Sequence, residues 1–313
     1  MKYEVTIGRA ASGAGGMAAG SPARARVELV EAAGPTGLSA WVALPERRGP
    51  DPTPLIAVHG IKRGARAQAA GFAARASAAG RPVVAPLFDT ARWPLYQQAV
   101  RRGRADLALA TLLDDLGLAG LPGTGRIDLF GYSAGAQFAH RFAMMHPQRV
   151  RRLSLAAAGW YTFPDDAPFP YGLGARRTVA GRSDSVDWGA LMAARLAEFL
   201  AIPKLVAVGG ADTLSDETLR RGAEIDRHQG ANRVARARTY AAALEDAAAA
   251  RGIATPPPRL TILPGVTHDF TECLAGGLAT LVLTPPDAVR ARSSTNTATT
   301  LTNGPFAGPA ETI

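Results

Sequence analysis

Short apolar runs alternate with longer helix-like stretches along most of this chain, and that rhythm narrows the folds open to it. Leu55–Val58 is a continuous run of the kind found in strands covered on both faces. Residues 82–85, 127–130, 153–158, 205–208 and 260–263 repeat the pattern. Helical periods lie between them. One ends near residue 79, where Gly80 stops it. Another spans 104–116, with Leu107, Ala110, Leu113 and Leu116 in register. Further periods are expected over Ala134–Met145, 191–200, 233–251 and 270–283. Residues 26–31 and 38–44 read as an opening hairpin around the turn at 34–37. Strand–helix alternation predicts an α/β fold, a mostly parallel central sheet with helices on both faces. In such sheets chemistry gathers in the loops after the carboxyl ends of the strands.

Three stretches break the rhythm. Residues 1–23 are Gly/Ala-rich from Ala10 to Gly20 and lack a compact apolar core, which reads as a loose extension and not a signal peptide. Residues 290–313 are rich in Thr, Ala, Ser, Asn, Gly and Pro and read as a flexible tail. That leaves one catalytic-sized domain over 24–289. Within it, 159–189 is rich in Pro, Gly and Asp, yet Trp160, Tyr161, Phe163, Phe169 and Tyr171 crowd together there. A long loop in a compact domain is usually functional or disordered, and aromatics argue against disorder. A short cap insertion over about 159–200 is expected.

The loop after the strand at 127–130 carries Gly131-Tyr132-Ser133-Ala134-Gly135. A G-x-S-x-G run occurs by chance, so its weight comes from lying between a strand and a helix. Glycines on both flanks permit a sharp turn that exposes the serine hydroxyl beside a helix N-terminus. A serine hydroxyl needs a base to act as a nucleophile. Of the five histidines, His268 follows the last strand and precedes the last helix. His140 and His146 lie along or past the helix that Ser133 opens, and His228 sits in a polar stretch. His268 is therefore the expected base. A carboxylate to orient it is expected at Asp212, after the strand at 205–208. Asp216 is its near rival; Asp184, Asp187 and Asp269 are weaker candidates. Charge developing on a carbonyl oxygen calls for backbone donors. Ala134 is one candidate. The second comes from His59-Gly60-Ile61, at Ile61 or Gly60, with His59 structural beneath the loop.

Composition removes other readings. The net charge of +9 suggests a nucleic-acid partner, but only Lys2, Lys62 and Lys204 are lysines and the arginines are scattered, with no binding module around them. No apolar run is long enough to cross a bilayer, so no membrane partner is expected and a cytoplasmic location is the default. Cys273, the single cysteine, falls on the apolar stripe of the last helical period. The sequence leaves the oligomeric state open, a homodimer included.

His59-Gly60, the Gly131–Gly135 turn, Asp212 and His268 together resemble the α/β-hydrolase superfamily over about residues 25–285. Within it the chain is similar to bacterial esterases and to polyhydroxyalkanoate-depolymerase-like and dienelactone-hydrolase-like groups. The resemblance implies no cofactor, a small-molecule ester substrate and a two-step acyl-enzyme mechanism. The expected reaction is carboxylic ester hydrolysis by Ser133, His268 and Asp212, in that superfamily's chain order. Trp160, Tyr161, Phe163, Tyr132 and Trp93 are expected to line the substrate cleft, with Arg92 and Tyr96 as further candidates. His59-Gly60-Ile61-Lys62 departs from the His-Gly-Gly-Gly of hormone-sensitive-lipase-like esterases, so their preference for bulky tertiary esters is not implied. Two rival readings are a prolyl-oligopeptidase-like peptidase, for which no propeller-sized segment is present, and a catalytically silent binding protein on the same fold.

Overall fold

A computed structural model of the protein describes residues 26–30, 37–175, 186–214 and 217–284. Among them the apolar runs form one eight-stranded sheet in the order β1-β2-β4-β3-β5-β6-β7-β8. The strands are β1 Val27–Val30, β2 Ala40–Ala43, β3 Leu55–Val58, β4 Val83–Pro86, β5 Ile127–Tyr132, β6 Val150–Ala156, β7 Lys204–Gly209 and β8 Arg259–Leu263. β1 and β2 are antiparallel to their neighbours; from β4 to β8 every pairing is parallel. The protein has the α/β-hydrolase fold. The chain reverses its direction across the sheet at β3, and the loops after β3, β5, β7 and β8 all open at its carboxyl edge.

Helices cover both faces because the central strands are apolar on both sides. On one face, α1 Ala65–Ala78, α8 Phe270–Ala275 and α9 Leu278–Leu283 bury Phe72, Cys273 and Leu278 against β3, β5 and β7. On the other lie α2 Ala105–Leu118, α3 Ala134–Met145, α5 Leu196–Ala201 and α7 Arg233–Ala249, which bury Leu109, Phe138, Phe142 and Tyr240. The α4 helix, Trp188–Ala193, precedes α5, and α6 Ala223–Gln229 precedes α7. No helix among the described residues is long and apolar enough to cross a membrane.

Three expectations change. The period at 270–283 is two helices, because Gly277 adopts φ +94° between them. The period at 191–200 is likewise two helices, α4 and α5, with Ala194 and Arg195 between them, while α6, which no period announced, has only Ile225 and Gln229 buried. The segment from Gly159 to residue 175 is not a protruding cap: Tyr161, Phe163 and Phe169 are buried in the main core with α3 and α7. Residues 176–185 of the expected cap, the hairpin turn at 34–36, the extension at 1–23 and the tail at 290–313 lie outside the described residues.

Candidate active site

Ser133 occupies the junction where β5 passes directly into α3. Its backbone sits at φ 54°, ψ −114°, a conformation costing a non-glycine residue about 1–3 kcal/mol. The turn is held from both sides. The Ser133 N–H donates to the Ala156 carbonyl at 2.8 Å, which fastens it to β6. A Cβ on Gly131 would stand 2.2 Å from the Gly135 carbonyl oxygen, and one on Gly135 would stand 2.2 Å from that of Val58. The two glycines thus allow β5, α3 and the end of β3 to touch through backbone alone.

His268 approaches from the loop after β8. Its Nε2 lies 3.0 Å from Ser133 Oγ, and its Nδ1 lies 2.7 Å from Asp212 Oδ2. A carboxylate only accepts, so Nδ1 carries the proton and Nε2 faces the hydroxyl as an acceptor. The loops bearing these two residues are laced together. Gly210 N–H donates to the Leu263 carbonyl at 2.7 Å, and Ala211 N–H to the Val266 carbonyl at 2.9 Å. This contact needs Gly209, where a Cβ would stand 2.3 Å from the Val266 oxygen. The other face of the His268 loop is fixed by Glu272, whose carboxylate accepts from Thr267 N–H and Oγ1 at 2.8 and 2.7 Å.

The rival carboxylates have other work. Asp269 caps α8 by accepting from Glu272 N–H, and Asp187 caps α4 by accepting from Ala190 N–H. Asp184 and Asp216 lie outside the described residues. Asp212 also has a partner that the sequence reading did not single out for the site. Its Oδ1 accepts from Arg233 Nη1 at 3.2 Å, and both side chains are buried. Arg233 opens α7, more than twenty residues along the chain, and no local pattern signals that pairing.

Ala134 opens α3, so its N–H has no acceptor within the helix. The His59–Ile61 loop comes alongside: a Cβ on Gly60 would lie 3.6 Å from that of Ser133. His59 is wholly buried beneath the loop. Its Nε2 accepts from Phe88 N–H at 3.2 Å, which leaves the proton on Nδ1, 2.9 Å from the Gly60 carbonyl. Burial pushes its pKa down to about 4, so the ring is neutral. Tyr96 donates its hydroxyl to the His59 carbonyl at 2.6 Å. Arg63 donates to the carbonyls of Phe88, Trp93 and Pro94. Nothing in the spacing of Arg63 or Tyr96 pointed to this support.

The aromatic residues expected at the cleft separate into different positions. Trp93 is buried, donating Nε1–H to the Gly103 carbonyl and meeting Phe88 edge-on, so it belongs to the core. Tyr161 is fully buried and stacks on Tyr240 at 4.0 Å, with its backbone bound by Gln229. Phe163 packs against Tyr240 and His228. These three are corrections: large aromatic surface gains most by leaving water, and the core competed successfully for it. Tyr132 lies face to face with the His268 ring at 5.4 Å and against Phe270, as a support for the imidazole. Trp160, buried as well, packs beside Tyr171, with the guanidinium groups of Arg141 and Arg220 against its ring. Among the described residues no cluster of three or more His, Cys, Asp or Glu side chains is placed to hold a metal ion.

No family model matches the chain, and no curated protein does. Solved structures do. The chain is similar to LpqC, a poly(3-hydroxybutyrate) depolymerase from Bordetella parapertussis, at 25% identity and TM-score 0.67, over 86% of this chain and 94% of that one. It is similar to poly(aspartic acid) hydrolase-1 from Sphingomonas sp. KT-1 at 26% identity and TM-score 0.66, over 83% and 98%. The fluorophosphonate-binding serine hydrolase FphF of Staphylococcus aureus shares the fold at 14% identity and TM-score 0.53, over 83% and 99%.

Proposed function

We propose that this chain, which has the α/β-hydrolase fold and is similar to two solved hydrolases, is a serine hydrolase that cleaves carboxylic esters by two-step acyl transfer at Ser133. The observation that carries this reading is the unbroken hydrogen-bonded line from Asp212 through His268 to Ser133, ending on a strained strand–helix turn. Ser133 Oγ attacks the ester carbonyl while His268 Nε2 takes its proton. Asp212 keeps the Nδ1 tautomer and stabilises the imidazolium that forms. The N–H groups of Ala134 and Ile61 receive the oxyanion, each such donor being worth roughly 3–4 kcal/mol in the transition state. Collapse expels the alcohol, protonated by His268. Water then repeats the sequence on the acyl-enzyme. A polyester or oligoester of hydroxy acids is the substrate class favoured by the likeness to a poly(3-hydroxybutyrate) depolymerase.

A fluorophosphonate probe tests the nucleophile. It should label the wild-type protein and not Ser133→Ala, and p-nitrophenyl acetate turnover should drop roughly 10³–10⁶-fold in that variant. Equal labelling of the two proteins would remove Ser133 from the reaction. A folded wild type that is never labelled would favour the silent binding protein.

A further inference from the structure

The helix that Ser133 opens carries a second unusual residue. Arg141, two turns along α3, is 1% exposed. Its Nε donates to Thr162 Oγ1 at 2.9 Å, and its Nη1 to the carbonyls of Gln97 and Gln137 at 2.8 and 3.0 Å. Its Nη2 is buried and has no partner. The other buried arginines each meet a carboxylate: Arg81 meets Asp128, Arg233 meets Asp212 and Arg236 meets Asp226. Arg141 meets none among the described residues. A buried cation without a counter-charge is strongly unfavourable, and burial draws the Arg141 pKa down to about 9. Its three hydrogen bonds and the Trp160 ring offset part of that cost, and a negative charge from outside the chain would offset more.

A second cation stands on the same ring. The Arg141 guanidinium lies 4.0 Å from the Trp160 ring centroid, and that of the exposed Arg220 lies 5.8 Å from it and 5.4 Å from that of Tyr171. Arg220 likewise has no ion pair among the described residues. The segment that carries Trp160 packs on the helix that Ser133 opens. Gly159, just before Trp160, packs so near Gln137 that a Cβ there would lie 3.1 Å from its Nε2. Gln137 is one turn beyond Ser133, and its Oε1 is buried without a partner. By helix rise the Arg141 backbone is about 12 Å from Ser133, and helical side chains lean back toward the N-terminus. The bond from Nη1 to the Gln137 carbonyl shows that lean.

We infer that Arg141 and Arg220, set on Trp160, form a subsite for a carboxylate carried by the ester substrate some bonds away from the scissile carbonyl. Arg220 contacts the carboxylate, and Arg141 beneath supplies the field that fixes its sign. The inference rests on ester cleavage at Ser133. It also suits that chemistry, because every cleavage in a chain of linked hydroxy acids leaves a carboxylate end. The site then favours chain ends and short oligomers over neutral esters.

Calorimetry on the Ser133→Ala protein tests the subsite without turnover. Monomethyl adipate carries its carboxylate on the acyl side and 6-acetoxyhexanoate carries it on the alcohol side. At least one should bind, and Arg220→Glu in the same background should weaken that binding tenfold or more. Arg141→Gln, checked for folding by thermal melt, should weaken it too; if it fails to fold, Arg220→Glu decides alone. Absence of binding to both compounds, or binding within twofold after Arg220→Glu, would overturn the subsite. In wild-type enzyme the ratio of kcat/KM for the favoured half-ester to that for methyl hexanoate should fall tenfold with Arg220→Glu. Fluorophosphonate labelling and methyl hexanoate turnover with no half-ester preference would leave the Ser133 chemistry standing and the subsite refuted. No labelling and no ester turnover would refute the ester reading on which the subsite rests.

Discussion

Asp212 shows how one residue is set by its surroundings. It is buried, accepts from His268 on one oxygen and from Arg233 on the other, and so has its orientation fixed before any substrate arrives. Asp212→Asn should preserve the fold but present an amide that can donate to Nδ1, favouring the wrong imidazole tautomer. A kcat loss of about 10⁴-fold is expected, with little change in KM. A loss below tenfold would mean that another carboxylate orients His268. At this scale the sequence named Ser133, His268 and Asp212 from their positions after strands. It could not name Arg233 or Arg63, and it put Tyr96 in the cleft when the residue is buried under the His59 carbonyl; these contacts join segments far apart in the chain.

At the scale of elements, the working parts are loops pressed together at the carboxyl edge of the sheet. β7 and β8 are neighbours, and their loops bond backbone to backbone only because Gly209 has no side chain. Gly209→Ala should push the Asp212 loop off the Val266 loop. A displacement on the order of 1 Å corresponds to roughly 10²-fold in kcat. Normal kcat with a lowered melting temperature would show that the loops part without moving Asp212. α3 was readable to the residue from the turn that opens it, although all twelve of its residues are buried and no polar face marks it. Two others were not. The break in the 270–283 period depends on the backbone conformation of Gly277, and α6 has too little apolar surface to register. The aromatic segment after β6 was misread for a third reason. Aromatics mark a segment that will bury surface, but not whether it buries it on a ligand or on the core.

At the scale of the molecule, buried ionisable groups link stability to pH. His59 is neutral when folded, with a pKa moved from 6.5 to about 4 by burial. Above about pH 6.5 both states are neutral and its contribution is complete. Between 6.5 and 4 the unfolded chain takes up the proton and the folded one does not, so stability is lost as pH falls, by about 3 kcal/mol in all. His140, fully buried and accepting from Thr162 N–H, is pushed down by burial as well and adds to the same window. Burial alone would raise Asp51, but hydrogen bonds from Arg151 and Thr53 hold it at about 2. Its contribution is present above about pH 4 and is lost as pH falls toward 2. Urea unfolding at pH 7.5, 5.5 and 4 should show the decline, and His59→Gln should flatten it. Parallel curves for the two proteins would place the proton uptake elsewhere.

The sequence by itself determined the sheet, the order of the reactive residues and the turn that exposes Ser133. Each of these follows from local periodicity or from the sterics of adjacent residues. Only the tertiary structure decided which charges meet, which aromatics enter the core and which buried arginine, among the described residues, is left without a carboxylate. Those outcomes depend on distances between residues remote in sequence, where burial and charge pairing compete in three dimensions. Ser133 can thus be named from a five-residue turn and the strand and helix patterns on either side of it, while the company that Arg141 keeps with Trp160 and Arg220 is visible only once the chain has folded.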